Sequence, residues 1–190
     1  QKDKRGQIMN EQNNKGIYTK AVKIVDASVQ YPSTKENWQK RKDDIVLTLT
    51  LDVGNDKFQP ELVLRGYFNK KEDGSFQNNG TATKIRILFD SVGINADDAI
   101  DKEKFEISDE SLEQLVDKEF CKLSYVYGVK EDGKTGWSDW SEVAKVGDDQ
   151  KLKDKFIDAV RNKWVRDYRP ESNSQVQSNV EEKVDTNFQL

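Results

Sequence analysis

The sequence predicts a mainly β domain: a five-stranded Greek-key barrel with a helix between strands three and four and a second helix at the C-terminal end. Three observations predict it. Residues 44–68, DIVLTLTLDVGNDKFQPELVLRGYF, hold the one uninterrupted strict alternation of apolar and polar residues in the chain, and a period of two means a half-buried strand. A second alternating pair flanks Glu131-Asp132-Gly133-Lys134, where Asp-Gly is a strong hairpin signal. Between and after these pairs, 81–92 and 150–166 place apolar residues at spacings of three and four, the mark of one helix face.

The chain has 190 residues, enough for one domain with a real core plus tails. Its hydrophobic fraction of 34% is low beside a charged fraction of 35%, so the ends are expected to pack poorly. Residues 1–14 read as a flexible N-terminal arm, 15–169 as the folded domain and 170–190 as a flexible acidic C-terminal tail. The net charge of -4 hides segregation. Residues 1–42 carry ten Lys or Arg against four acids, 90–119 three against eleven, and 151–169 seven against three. Binding responds to local potential rather than to the sum, although charge runs also serve as plain solvated faces. No apolar run is long enough to span a membrane, and the first residues lack the apolar core of a secretory signal. A soluble cytoplasmic protein is therefore expected, in the host cell cytoplasm if viral.

In chain order, Gly16 opens a first strand, IYTKAVKIVDASVQY, with Tyr18, Val22 and Ile24 on one side and Val25, Ala27 and Val29 on the other. The change of side predicts a bulge or sharp bend. The segment 31–44 is longer than a hairpin needs, and loops of that length are usually functional or disordered. It holds Trp38 among Lys35, Lys40, Arg41 and Lys42; either Trp38 folds back onto the barrel or it is offered to a ligand. In the central hairpin Ile45, Leu47, Leu49, Leu51, Leu62, Leu64 and Phe68 form the apolar face. Thr48, Thr50, Arg65 and Tyr67 lie on the other.

Thr81 is a candidate N-cap for a helix whose inner face is Ile85, Leu88, Phe89 and Val92, with Gly93 as its stop. A short capped helix is expected near Ser108, with Leu112 and Leu115 inward. Cys121, inside a strand pattern, reads as a buried small hydrophobe. Trp137 and Trp140 stand three apart on one strand, so one is expected in the core and one exposed. The final helix, 150–166, has an apolar stripe of Leu152, Phe156, Ile157, Val160 and Trp164 and a basic outer surface.

The chain has no histidine. That excludes histidine acid-base chemistry, Ser-His and Cys-His nucleophiles, and nearly every zinc site. No Gly-rich phosphate loop and no distinctive carboxylate pair occurs, and the acids at Asp97, Asp98, Asp101 and Glu103 lack EF-hand spacing. A protein without enzymatic activity, cofactor or metal is expected.

Strand, strand, strand, helix, strand, strand, helix is the element order of the OB-fold, whose ligands lie across strands two and three and at the first-second and fourth-fifth loops. The segments GIYTKAVKIVDASV, LTLTLDV, ELVLRGYF, KIRILFDSVGI and FCKLSYVYG, with the Asp-Gly turn after them, give the chain a pattern that resembles phage-encoded single-stranded DNA-binding proteins. The resemblance implies sequence-tolerant binding of single-stranded DNA in phage DNA replication or recombination. Lys35, Lys40, Arg41, Lys42 and Arg65 would then neutralise phosphates, and Trp38, Tyr67, Tyr127 and Trp137 would stack on bases. It also implies a tail that recruits replication or recombination proteins, here through Glu181, Glu182, Asp185 and Phe188. No membrane partner is expected, and a homo-oligomer is compatible with the sequence. The alternative is a virion structural or assembly protein, a capsid or tail component using a β-rich domain with extended arms.

Overall fold

The computed structural model describes residues 16–32, 45–66, 69–70, 76–77, 80–101 and 106–170. Five strands, β1 (Ile17–Gln30), β2 (Ile45–Asp52), β3 (Glu61–Gly66), β4 (Glu119–Val129) and β5 (Thr135–Ala144), form one sheet in the order β3-β2-β1-β4-β5. It is an antiparallel, nearly closed barrel consistent with an OB-like fold. A short ribbon pairs Asn69–Lys70 with Phe76–Gln77. Helices α1 (Gly80–Ser91), α2 (Ala96–Ala99) and α3 (Asp109–Leu115) lie between β3 and β4 in the chain, and α4 (Asp149–Arg161) follows β5. The order of strands and principal helices is the one read from the sequence.

The chain divides into two compact units. One, Lys20–Lys122 with Ser141–Asp149, holds the main hydrophobic core. Leu47 pairs with Leu64 and Leu49 with Leu62 across β2 and β3, and all four are buried. The strict alternation forces this outcome: with side chains switching face at every residue, a slip of one would turn every Leu to solvent. The β1–β2 register shifts between Ile24 and Asp26, as the change of side predicts. Val25 is the extra residue and is exposed, while Val22 and Ile24 before it and Ala27 and Val29 after it pack on the same core. The bulge therefore keeps one face of a 14-residue strand apolar where an unbroken alternation would have turned half of it outward.

In the same unit α1 buries Ile85, Leu88 and Phe89. It begins at Gly80, so Thr81 falls inside the first turn rather than at the cap. Its end closes with Gly93 N donating to Asp90 O at 3.2 Å and Ile94 N donating to Phe89 O at 2.9 Å, the two bonds of a Schellman motif. Gly93 takes the left-handed position at φ +80°, and Ile94 packs back on the core. Ser108 caps α3, its Oγ accepting from Ser111 N at 3.1 Å; Leu115 is buried and Leu112 packs on the core. Cys121 is buried, as expected.

The other unit comprises Gln1–Thr19, Leu123–Trp140 and Gln150–Leu190. Its centre is Phe156 on α4, fully buried. The Phe156 ring meets Tyr125 at 5.0 Å, Trp140 at 5.3 Å and Tyr168 at 5.3 Å between centroids. Trp140 is thus the buried indole of the pair on β5 and Trp137 the exposed one. The stripe expected to run on to Trp164 stops short. Lys163 N donates to Val160 O at 3.0 Å and Trp164 N to Ala159 O at 2.9 Å, ending α4 at Arg161 and turning the chain at Lys163, whose φ is +60°. Trp164 is left 78% exposed.

Candidate nucleic-acid interface

Of the residues expected to meet DNA, Lys35, Trp38, Lys40, Arg41, Lys42 and Tyr67 lie outside the described residues, as do Glu181, Glu182, Asp185 and Phe188 of the tail. Arg65, Tyr127 and Trp137 are described and all three are exposed.

Arg65 sits on β3 opposite Val46. The face it shares also carries Glu61, which pairs with Thr50, and Asp52, which pairs with Lys23. Asp26, opposite Thr50, completes it. Three carboxylates against two cations make this outer face of β1, β2 and β3 mixed in charge. Its Thr, Arg and Tyr side read from the sequence as an exposed surface for a ligand; among the described residues it is not a cationic one.

Tyr127 and Trp137 belong to the other unit, on the β4–β5 hairpin. Its turn is compact: Gly133 N donates to Lys130 O at 2.9 Å, Lys130 N to Lys134 O at 2.8 Å, and Lys134 N to Asp132 Oδ1 at 3.1 Å. This is the tight Asp-Gly turn that the sequence signals. Lys130 and Lys134 flank it, and the Lys134 ammonium stands 3.4 Å from the Asp132 carboxylate. Two lysines and the acids Glu131 and Asp132 leave the tip neutral, so phosphate attraction must come from elsewhere.

The two rings leave the hairpin on opposite faces. Ser124 Oγ donates to Asp139 Oδ1 at 2.6 Å, which places Ser124 and Asp139 on one face; Trp137, two residues before Asp139 on β5, shares it. Tyr125 and Trp140 meet Phe156 on the other face, and Tyr127 follows Tyr125 by two. Gly136, four before Trp140, lies there too, and the Tyr127 ring covers it. A Cβ built on Gly136 would come within 2.6 Å of Tyr127 Cζ. Trp137 is 46% exposed and Tyr127 39%. The structure therefore brings the two aromatics to one hairpin but not into one stack.

Behind the hairpin, Tyr125 Oη donates to the Asp167 carboxylate at 3.1 and 3.2 Å. Burial pushes the Tyr125 phenol above its ordinary value; a hydrogen bond with Ser138 lowers it and the Asp167 charge raises it again. The hydroxyl thus stays a donor at neutral pH and fastens the segment after α4 to β4. Arg169 N donates to Val126 O at 2.8 Å and adds a backbone tie. Cations of this unit concentrate on α4 and that segment: residues 151–169 hold seven Lys or Arg and three Asp.

Among the described residues no group of three or more His, Cys, Asp or Glu is placed to hold a metal ion, and no helix is long and apolar enough to cross a membrane. No protein-family model matches the chain, and no curated protein matches it. The exposed aromatic that sequence reasoning passed over is Trp164, hidden by a spacing of four from Val160 that looks like a continuing helix stripe.

Proposed function

We propose that the protein binds single-stranded DNA, with little sequence preference and without catalysing a reaction on it, in phage-type DNA replication or recombination. The observation that carries this reading is Trp137: an indole 46% exposed, two residues beyond Thr135 at the start of β5, on the fourth-fifth hairpin of an OB-like barrel. That hairpin is one of the places where OB barrels take up oligonucleotides. An exposed indole on a hydrogen-bonded strand is a preorganised platform, since any base has a π-face to stack on it. The basic loop holding Lys35, Lys40, Arg41 and Lys42 is the proposed source of phosphate neutralisation, because the hairpin tip is neutral and the outer face of β1–β3 is mixed.

Stacking of one base is worth about 1 to 3 kcal/mol by alanine substitution. Trp137→Ala is therefore expected to weaken oligo-dT binding about 5- to 150-fold. The thermal melting curve should hardly move, because the ring is half exposed. Equal affinity of wild type and variant, measured by anisotropy of a labelled oligo-dT, would remove Trp137 from the interface.

A further inference from the structure

Among the described residues two helices end in a Schellman motif, and they differ at two side chains. In α1 the left-handed position is Gly93 and the next residue, Ile94, packs on the core; this is the usual arrangement, because glycine tolerates positive φ and an apolar residue after it closes over the last turn. In α4 the same two hydrogen bonds are made. The left-handed position, however, is Lys163 at φ +60°, and the next residue is Trp164, 78% exposed. A lysine stands where glycine would be less strained. An indole stands where a packed apolar residue belongs, and it contributes almost nothing to burial.

Arg161, Lys163, Arg166 and Arg169 flank that residue in the sequence, with Asp158 just before them and Asp167 among them. Arg166 Nε donates to Lys163 O at 3.2 Å, using one of the five guanidinium N–H donors. Arg169 donates to the carbonyls of Arg166 and Tyr168 at 2.6 and 2.8 Å. Arg161, one turn earlier, pairs with Asp158 at 3.3 Å and is three-quarters exposed. The carbonyl end of a helix also favours positive charge. An exposed indole with Lys163 beside it and Arg166 two residues on in the chain, the guanidinium held by the Lys163 carbonyl, is matched by a ligand that is anionic and aromatic at once. A single nucleic-acid strand has both properties, whereas an acidic peptide would need the cations but not the ring.

The geometry points to a second strand-binding site at the C-terminal corner of α4, where Trp164 stacks on a base and Lys163 and Arg166 meet the adjoining phosphates of single-stranded DNA. This inference rests on the reading of the protein as a single-strand binder. It adds a contact that neither the basic loop nor the β4–β5 hairpin provides.

The test compares full-length wild type, Trp137→Ala, Trp164→Ala, Trp164→Phe and Lys163→Gly for binding to labelled oligo-dT of increasing length. Trp164→Ala is expected to lose at least about fivefold in affinity for the longer oligonucleotides with an unchanged melting temperature, and Trp164→Phe to recover most of it. Lys163→Gly separates binding from stability. It relieves the left-handed strain and should melt at the same or a higher temperature, yet its log affinity should fall less steeply with log salt, by about 0.7 for the one phosphate contact removed. Wild-type affinity of Trp164→Ala at every length, alongside a weakened Trp137→Ala, overturns the second site alone and leaves the corner to a protein partner. Failure of wild type to bind oligo-dT at low salt overturns the single-strand reading and this inference with it.

Discussion

Gly136 shows how one missing methyl sets the position of an aromatic ring. Tyr127 lies over it, and a Cβ there would meet the Tyr127 Cζ, Cε2 and hydroxyl at 2.6, 2.8 and 3.0 Å. Those atoms are the far end of a side chain that is 39% exposed, so the ring has room to swing away. Gly136→Ala is therefore expected to displace Tyr127 while changing stability by less than about 1 kcal/mol, since the strain is relieved by one rotamer change. Urea denaturation reads the stability and tyrosine ring resonances read the displacement. A loss of several kcal/mol would show that the ring is fixed in place. Trp164 is the opposite case at this scale: its identity is plain in the sequence, but its exposure depends on the φ of Lys163, a choice that spacing does not report.

At the scale of elements, Phe156, fully buried, anchors α4 through three ring contacts. Replacing Phe156 by Ala is expected to cost about 3 to 5 kcal/mol, from lost burial plus the cavity left among rings that cannot collapse. Urea unfolding measures it, and a cost under about 1 kcal/mol would mean that α4 is not packed as described. The elements were largely legible in the sequence because periodicity is a physical requirement of a half-buried strand or helix. Leu47, Leu49, Leu62 and Leu64 are buried as their alternation demands, and the bulge at Val25 is written in the change of side within β1. Helix ends were less legible. Gly93 announces the end of α1, whereas Lys163 gives no such signal, and the stripe Phe156, Val160, Trp164 extends in the sequence beyond the last helical turn. Of the candidate site, the spacing of Trp137 and Trp140 shows that one indole is exposed and one buried, but not which; the packing of Trp140 on Phe156 decides it. The opposite orientation of Tyr127 was not legible, because it depends on the register between β4 and β5.

For the whole molecule, the absence of histidine shapes the response to pH. No side chain has an ordinary pKa between about 6 and 8, so stability is expected to stay flat there. Above that range three tyrosines among the described residues matter. Burial is the main cause that raises Tyr31, Tyr125 and Tyr168. A phenol raised in the folded state favours folding below its unfolded pKa of about 10, and that contribution is lost as pH rises past 10 through the folded value. Urea unfolding at pH 7, 9 and 11 should show little change over the first interval and a marked loss over the second. Tyr125→Phe should lose less than wild type over that second interval.

The proposed function draws on three features: an OB-like barrel, an indole displayed on the β4–β5 hairpin, and cations in the sequence at 35–42 and 151–169. The barrel is proposed to bind a single strand by stacking and phosphate contact together. Titration of the full-length protein with oligo-dT, followed by tryptophan fluorescence at a series of salt concentrations, tests it most directly. Strong quenching, with affinity falling linearly in log salt by about 0.7 for each phosphate contacted, is the predicted result. No quenching at low salt, together with no binding of the labelled oligonucleotide, would contradict it.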